Sequence, residues 1–396
     1  MKNSVKIISK IKPFNKIISV DGDKSISIRW LLLASQATGK SKAHGILKSE
    51  DVLSTVDCLK KLGVRINFRK NFCEVFGVGM TGFKIKNNLT LNAGNSGTLA
   101  RLILGLLIHY RKNIKLIGDK SLSKRDFERV ISPLKKFGAK FTYKKKGLPL
   151  IIKGTKNPKA IYYFEKKGSA QCKSSVMLAS LNTPGVTSIK AKKSRNHTEL
   201  FFKNLKIPIK IKSSKDFDLI KVGSTNKIKP INYKIPSDIS SSAFFVVLTA
   251  LSENSKLLIK NININPTRIG VITILKKMGV KISLKNIKFY KNEKVADILV
   301  KSSSNLKPII CPPKLNSSAI DEFLLIFLVA ARANGVSTFK NLSELNQKES
   351  PRLKWGSKIL NKIGIKNEIT KDSIKIFGNP KIKLNRKIII KKFLKD

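Results

Sequence analysis

Cysteine, histidine, carboxylates and arginine are all scarce in this chain of 396 residues, and the first two shortages each remove a class of function. The four cysteines, Cys58, Cys73, Cys172 and Cys311, lie far apart, and His44, His109 and His197 do not join them at metal-ligand spacing. That excludes a disulfide framework and a metal centre as organising features, and leaves buried thiols behaving as small hydrophobes. No run of about 18 apolar residues occurs, so no membrane-spanning helix is expected. The opening MKNSVKIISKIKPF lacks the apolar run and small-residue cleavage site of a secretory signal, so the chain reads as cytoplasmic, without a membrane partner.

Lysine is what the chain has in excess. Asp and Glu total 24 against 80 Lys and Arg, a formal net charge of +56. Such a field favours polyanions. The lysines are spread along the whole chain, however, and no aromatic-rich RNA-binding pattern, zinc finger or basic zipper accompanies them. A diffuse compositional bias explains that distribution, and specific nucleic-acid binding is not expected. A hydrophobic content of 41% over this length is enough for real cores in two or three domains.

One short pattern recurs: LKKLGVRINF at 59–68, LKKFGAKFTY at 134–143, FKNLKIPIKI at 202–211, LKKMGVKISL at 275–284 and LNKIGIKNEI at 360–369. Four copies read as an amphipathic helix closed by a glycine and followed by a strand, and the third has Lys206 where the glycine belongs. Interleaved with it, polar residues precede a strongly apolar helix starting at Asp23, Asn95, Ser169, Ser237 and Asn316. Each of these predicts an N-capped helix buried nearly all round. The repeat is about 70–85 residues of helix, strand, helix and strands. Several copies must pack around a shared core, because one alone cannot cover its apolar helices.

The Ser/Gly-headed helix starts offer unpaired N–H groups and about half a positive charge, which suits a phosphate or carboxylate. Arg29, Arg101, Arg125, Arg195, Arg268 and Arg352 fall at predicted helix starts, where a cation is unfavourable to the helix itself. Converging on an anionic ligand would account for the placement; scattered surface arginines are the bland alternative. Asp321, in the apolar stretch SSAIDEFLLIFL, is a candidate general base or else an Asp satisfied at a helix N-terminus. Glu349, in QKESPRLKW, is a second proton-transfer candidate, or an ordinary acidic residue before a helix that starts near Pro351.

Nine ordered segments, DGDKSISIRWLLLASQATG, GNSGTLAR, GDKSLSKRDF, GSAQCKSSVMLASL, SRNHTE, PSDISSSAFF, NPTR, IDEF and KESPRL, resemble the signatures of the 5-enolpyruvylshikimate-3-phosphate synthase family over residues 13–396. The SAQ segment resembles the class in which Ala replaces a second serine. The resemblance implies an α/β enolpyruvyl transferase fold of two domains built from βαβαββ units, one domain formed by 1–19 and 234–396, the other by 20–233. It also implies transfer of the enolpyruvyl group of phosphoenolpyruvate to the 5-hydroxyl of shikimate 3-phosphate by a monomer using no metal or organic cofactor. By the same resemblance, Lys24 contacts both substrates and counts with Asp321 and Glu349 among the catalytic residues, and Ser25 and Arg29 hold shikimate 3-phosphate. Asn95, Gly97 and Thr98 form the loop approaching phosphoenolpyruvate, and Arg125 and Arg352 bind that substrate. Ser169, Ala170, Gln171, Arg195 and Lys348 line the shikimate-phosphate pocket, with Gln171 also facing phosphoenolpyruvate. Asp321 takes the 5-hydroxyl proton and Glu349 is its proton-transfer partner.

The chain departs from the family pattern in places. Asp126 follows Arg125 where the family has proline, and NQKESPR replaces RVKESDR, so Asn346 stands for a usual arginine. FLKD resembles the approach to a family Asp-His-Arg segment, so five of six expected units are read, with low stability and little activity expected of the chain alone. Two other readings compete: a UDP-N-acetylglucosamine enolpyruvyl transferase, separated by the acceptor segments SAQ, SRNHTE and KES, and an inactive fragment or basic nucleic-acid-binding protein on the same scaffold.

Overall fold

The computed structural model describes residues 9, 11–144, 146–347 and 350–382. Two compact units result, a larger one of residues 21–238 and 289–294, and a smaller one whose described residues fall in 9–20, 239–288 and 295–382. The chain thus changes unit after Val20 and after Asp238, against expected crossings near residues 20 and 233.

The larger unit carries helices α1 (Lys24–Gln36), α2 (Glu50–Lys61), α3 (Gly97–Leu107), α4 (Glu128–Lys136), α5 (Ala170–Ser180) and α6 (His197–Asn204). Its three four-stranded sheets share one plan: a parallel pair at one edge, then antiparallel neighbours. Leu89–Asn92 runs parallel to Asn113–Ile117, which pairs antiparallel with Leu150–Lys153, and that strand pairs with Lys140–Tyr143. Tyr162–Glu165 stands in the same relation to Val186–Lys192, followed by Phe217–Gly223 and Ile209–Ser213. In the remaining sheet Asn232–Lys234, the last strand of this unit in sequence, supplies the parallel edge beside Thr38–His44. Chain order in the two complete copies is βαβαββ.

The polar heads of the apolar helices act as caps. Asp23 Oδ1 accepts from Ile26 N–H at 2.9 Å, Ser96 Oγ from Leu99 N–H at 3.2 Å and Ser169 Oγ from Cys172 N–H at 3.2 Å. Behind these caps α1, α3 and α5 are buried on nearly every side, with Trp30 fully enclosed and its indole N–H donated to the Ile231 carbonyl at 3.1 Å. Burying such a side chain contributes roughly 1.5–3 kcal/mol. The four cysteines are free and buried, and burial pushes the Cys58 and Cys73 thiols up to about 12.

The second helix type ends as its sequence predicts. At α2, Gly63 N–H reaches the Lys60 carbonyl at 2.9 Å and Val64 N–H the Leu59 carbonyl at 3.0 Å, with Gly63 at φ 86°. That pair of bonds is a Schellman closure. It recurs after α6, where Lys206 N–H and Ile207 N–H reach Lys203 and Phe202, and Lys206 takes φ 56° in glycine's place.

The smaller unit carries α7 (Ile239–Leu251), α8 (Gly270–Lys277), α9 (Phe323–Ala331) and α10 (Arg352–Lys362). Its sheets are ordered Asn15–Ile18, Lys256–Asn263, Glu293–Lys301, Lys281–Tyr290 and Gly335–Phe339, Ile374–Gly378, Asn367–Ile369. Schellman closures follow α8 at Gly279 and α10 at Gly364. Two expectations fail here. The helix expected from Asn316 starts at Phe323, because the Asn316 amide donates to the Lys340 and Asn341 carbonyls instead of capping, and 316–322 stay in turns. And α7 is not buried all round: Phe244, Phe245 and Leu248 are exposed on one side.

Candidate functional site

The larger unit gathers three helix starts into two polar clusters. In the first, the α1 start presents Lys24, Ser25 and Arg29. The Lys24 N–H donates to Asp238 Oδ2 at 3.2 Å, and its ammonium rests on Asp51 Oδ2 at 3.1 Å. That pair is half exposed on the lysine side, where an ion pair is worth about 0–1 kcal/mol, so the ammonium can leave Asp51 for a ligand at little cost. Arg29, only 4% exposed, donates through Nε to Thr198 Oγ1 at 2.9 Å, through one terminal nitrogen to the Ser25 carbonyl at 3.1 Å and through the other to Ser174 Oγ at 3.2 Å. Burial lowers its pKa to about 10, opposed by Glu199 and Asp23 and reinforced by Arg195. Arg195, half-buried just before α6, therefore shares the neighbourhood of Arg29.

The second cluster is built on the starts of α3 and α5. Gln171 lies between them: its amide N–H donates to Thr98 Oγ1 at 3.0 Å, and its carbonyl accepts from Arg101 at 3.1 Å. Arg101 also donates to the Gly97 carbonyl at 3.2 Å and the Asp126 carbonyl at 3.3 Å, with its guanidinium 4.8 Å above the Phe127 ring. Asn95 accepts from Arg125 at 3.2 Å and donates to Asp119 Oδ2 at 2.5 Å. Burial works to raise the Asp119 carboxyl, but the bonds from Asn95 and the Leu122 and Ser121 backbone, with Arg125 nearby, bring it below the usual range. Gly97 leaves room for this arrangement: a Cβ there would lie 2.8 Å from an Arg101 nitrogen and 2.9 Å from an Arg125 nitrogen, so both guanidinium ends would have to move.

Ser169 caps α5, and Ala170 is the first residue of that helix. The Ser169 N–H donates to Glu165 Oε1 at 3.2 Å. Glu165, 3% exposed, also accepts from Tyr163 at 2.6 Å and from the Lys167 backbone at 2.9 Å, so a buried carboxylate fixes the approach to the helix.

In the smaller unit, Arg352 at the head of α10 donates to Asp321 Oδ1 at 3.1 Å. Both side chains are about a quarter exposed (21% and 25%). Deeper, Arg268 donates to Ser240 Oγ at 2.6 Å, and Ser240 donates to Glu322, a carboxylate 1% exposed. Lys348 and Glu349 lie outside the described residues.

The structure thus brings together Lys24, Ser25, Arg29 and Arg195 around α1, joins Asn95, Gly97, Thr98, Arg125 and Gln171 in the second cluster, and pairs Asp321 with Arg352. Of the arginines read as lying in first turns, Arg125 instead closes a short 3-10 turn at Leu122–Lys124, three residues ahead of α4. Sequence reasoning missed Ser174, Thr198, Glu165, Ser240 and Glu322, and gave Arg101 no partner. Serine and threonine inside apolar helices carry no distinguishing signal, but a glutamate inside an apolar stretch of so lysine-rich a chain does.

A family model described as EPSP synthase (3-phosphoshikimate 1-carboxyvinyltransferase) matches residues 8–389. The 3-phosphoshikimate 1-carboxyvinyltransferase of Ruthia magnifica subsp. Calyptogena magnifica is 41% identical over 372 residues, 93% of this chain and 84% of that protein. The enzyme of the same name from Petrotoga mobilis is 39% identical over 382 residues, 96% of this chain and 87% of the relative. The solved EPSP synthase from Acinetobacter baumannii superposes with a TM-score of 0.84 at 37% identity, covering 95% of this chain and 84% of the other. With its helix-start clusters, its fold and its sequence in agreement along nearly the whole length, the chain belongs to the EPSP synthase family.

Proposed function

We propose that the chain binds shikimate 3-phosphate and phosphoenolpyruvate and transfers the enolpyruvyl group of the second to the 5-hydroxyl of the first. Family membership makes it a transferase of the shikimate pathway, which leads to aromatic amino acids. What supports these residue roles is the joining of two helix starts by Gln171, with Arg101 and Arg125 crowded against Gly97. Each substrate bears a phosphate and a carboxylate, and holding two such molecules together requires fixed cations to offset repulsion and lost hydration.

In this reading Lys24, Ser25, Arg29, Ser169, Ala170, Gln171, Arg195 and Lys348 hold shikimate 3-phosphate. Lys24, Asn95, Gly97, Thr98, Arg125, Gln171 and Arg352 hold phosphoenolpyruvate. Asp321 exchanges Arg352 for the 5-hydroxyl and accepts its proton as the oxygen bonds to the enol carbon, while the neighbouring methylene gains a proton. Loss of that proton with cleavage of the carbon–oxygen bond expels phosphate and restores the double bond. Glu349 assists the proton transfers.

The two compact units are the two domains of the enzyme, which works as a monomer in the cytoplasm without specific nucleic-acid binding. No helix among the described residues is long and apolar enough to cross a membrane. The test is titration of the full chain with shikimate 3-phosphate, followed by phosphate release on adding phosphoenolpyruvate. One-to-one binding and release requiring both substrates are expected. Binding of UDP-N-acetylglucosamine in place of shikimate 3-phosphate would overturn the assignment.

A further inference from the structure

Arg29 is held by two residues that no substrate contact requires, Thr198 in the first turn of α6 and Ser174 in the middle of α5. Both are buried, Ser174 completely and Thr198 to 1% exposure. The Thr198 hydroxyl donates to Ser174 Oγ at 2.8 Å, so its single hydrogen is committed and its lone pairs are left for Arg29. Arg29 Nε and one terminal nitrogen each donate to one of the two hydroxyl oxygens, closing a ring of three hydrogen bonds, and the other terminal nitrogen donates to the Ser25 carbonyl. Three of the five N–H groups of a guanidinium are thereby fixed, and two stay for an anion.

The surroundings of this ring are also locked. Lys173, fully buried beside Ser174, meets Glu199, the neighbour of Thr198, at 2.5 Å. His197, on the other side of Thr198 and equally buried, meets Glu293 at 2.6 Å through Nδ1. Thr198 thus sits between two residues that each meet a buried carboxylate, and its hydroxyl cannot drift without disturbing those contacts.

We infer that Thr198 and Ser174 are positioning residues, whose hydroxyls aim the Arg29 guanidinium at the anionic acceptor substrate. The inference rests on the proposed function, which places Arg29 against shikimate 3-phosphate. A Thr198→Val change keeps the side-chain volume and removes the acceptor, leaving a buried N–H unbonded unless the guanidinium turns away.

The experiment compares the full chain with Thr198→Val, Thr198→Ser and Ser174→Ala. Shikimate 3-phosphate dissociation constants and phosphoenolpyruvate KM values are measured together with hydrogen exchange at Arg29 Nε by nitrogen-labelled arginine NMR. Thr198→Val and Ser174→Ala should each weaken shikimate 3-phosphate binding about ten-fold, within the range of an unmet buried hydrogen bond. Thr198→Ser should stay within about two-fold of the parent, and the KM for phosphoenolpyruvate should not move in any variant. Equal losses for both substrates, or Thr198→Val within two-fold of the parent, would overturn the inference. If the parent itself fails to bind shikimate 3-phosphate, the proposed function is what fails. Arg29 exchange then decides the positioning claim: faster exchange in Thr198→Val supports it and unchanged exchange refutes it.

Discussion

Arg29 and Arg101 in the larger unit are held very differently from the Asp321–Arg352 pair in the smaller one, which also has a buried network of its own in Arg268, Ser240 and Glu322. In the larger unit Arg29 and Arg101 each donate three hydrogen bonds to other groups of the protein, and a buried ion pair, Lys173 with Glu199, flanks the hydroxyls that hold Arg29. In the smaller unit Asp321 and Arg352 meet through a 3.1 Å contact, and both are partly open to water. The first arrangement is preorganised and costly to disturb, as suits the proposed hold on a charged substrate in a fixed pose. The second is cheap to exchange, as suits the proton transfer proposed for Asp321. Stability and chemistry should therefore respond to mutation in opposite patterns in the two units.

The largest effect should be structural. Lys173→Ala strands Glu199 in a site where the two partners are 0% and 3% exposed, and should cost about 3–5 kcal/mol of stability. For a unit of this size that is roughly 10 °C in melting temperature. A calorimetric scan with a fall of less than 2 °C would mean that the buried pair is not what holds α5 to α6.

Asp321→Asn should reverse the balance. Turnover should fall at least about 100-fold while stability changes by under about 1 kcal/mol, since the pair it breaks is partly solvated. Steady-state rates set beside chemical denaturation give both numbers. A stability loss like that of Lys173→Ala would erase the contrast between the units.

Gly97→Ala sharpens the comparison within the larger unit. The added methyl intrudes on Arg101 and Arg125 but lies outside the Arg29 ring, so the KM for phosphoenolpyruvate should rise about ten-fold. Shikimate 3-phosphate affinity should stay within about two-fold, as measured by isothermal titration. The smallest effect is a gain: Lys206→Gly relieves a non-glycine residue at φ 56° and should stabilise by about 1 kcal/mol, raising the melting temperature by roughly 2–4 °C.

The repeat was legible because its signals are local. A Schellman closure needs one residue of positive φ, so LKKLG and LKKMG announce a helix end wherever they stand, and Lys206 obeyed the rule without the glycine. Caps at Asp23 and Ser169 were equally readable, since their bonds span three residues, whereas the helix read from Asn95 is capped one residue later by Ser96. Asn316 misled because its amide finds acceptors at Lys340 and Asn341, a choice made by tertiary structure. Phe244 and Leu248 misled for a related reason: an apolar side chain records that burial is favourable, not that a neighbour is present. At the site, the scarcity of arginine singled out Arg29, Arg125 and Arg352 in advance, and the family resemblance supplied the roles proposed for them. Ser174 and Thr198 gave no such mark, because their partner is 145 or more positions away in the chain.

In the proposed function Arg29, buried in α1 of the larger unit, anchors the receptor for an acidic acceptor substrate. Calorimetric titration of the full chain and of Arg29→Gln with shikimate 3-phosphate is the sharpest test of that role. One site per chain, weakened at least about 100-fold in Arg29→Gln, is the predicted result. Equal affinity in the two proteins would contradict it.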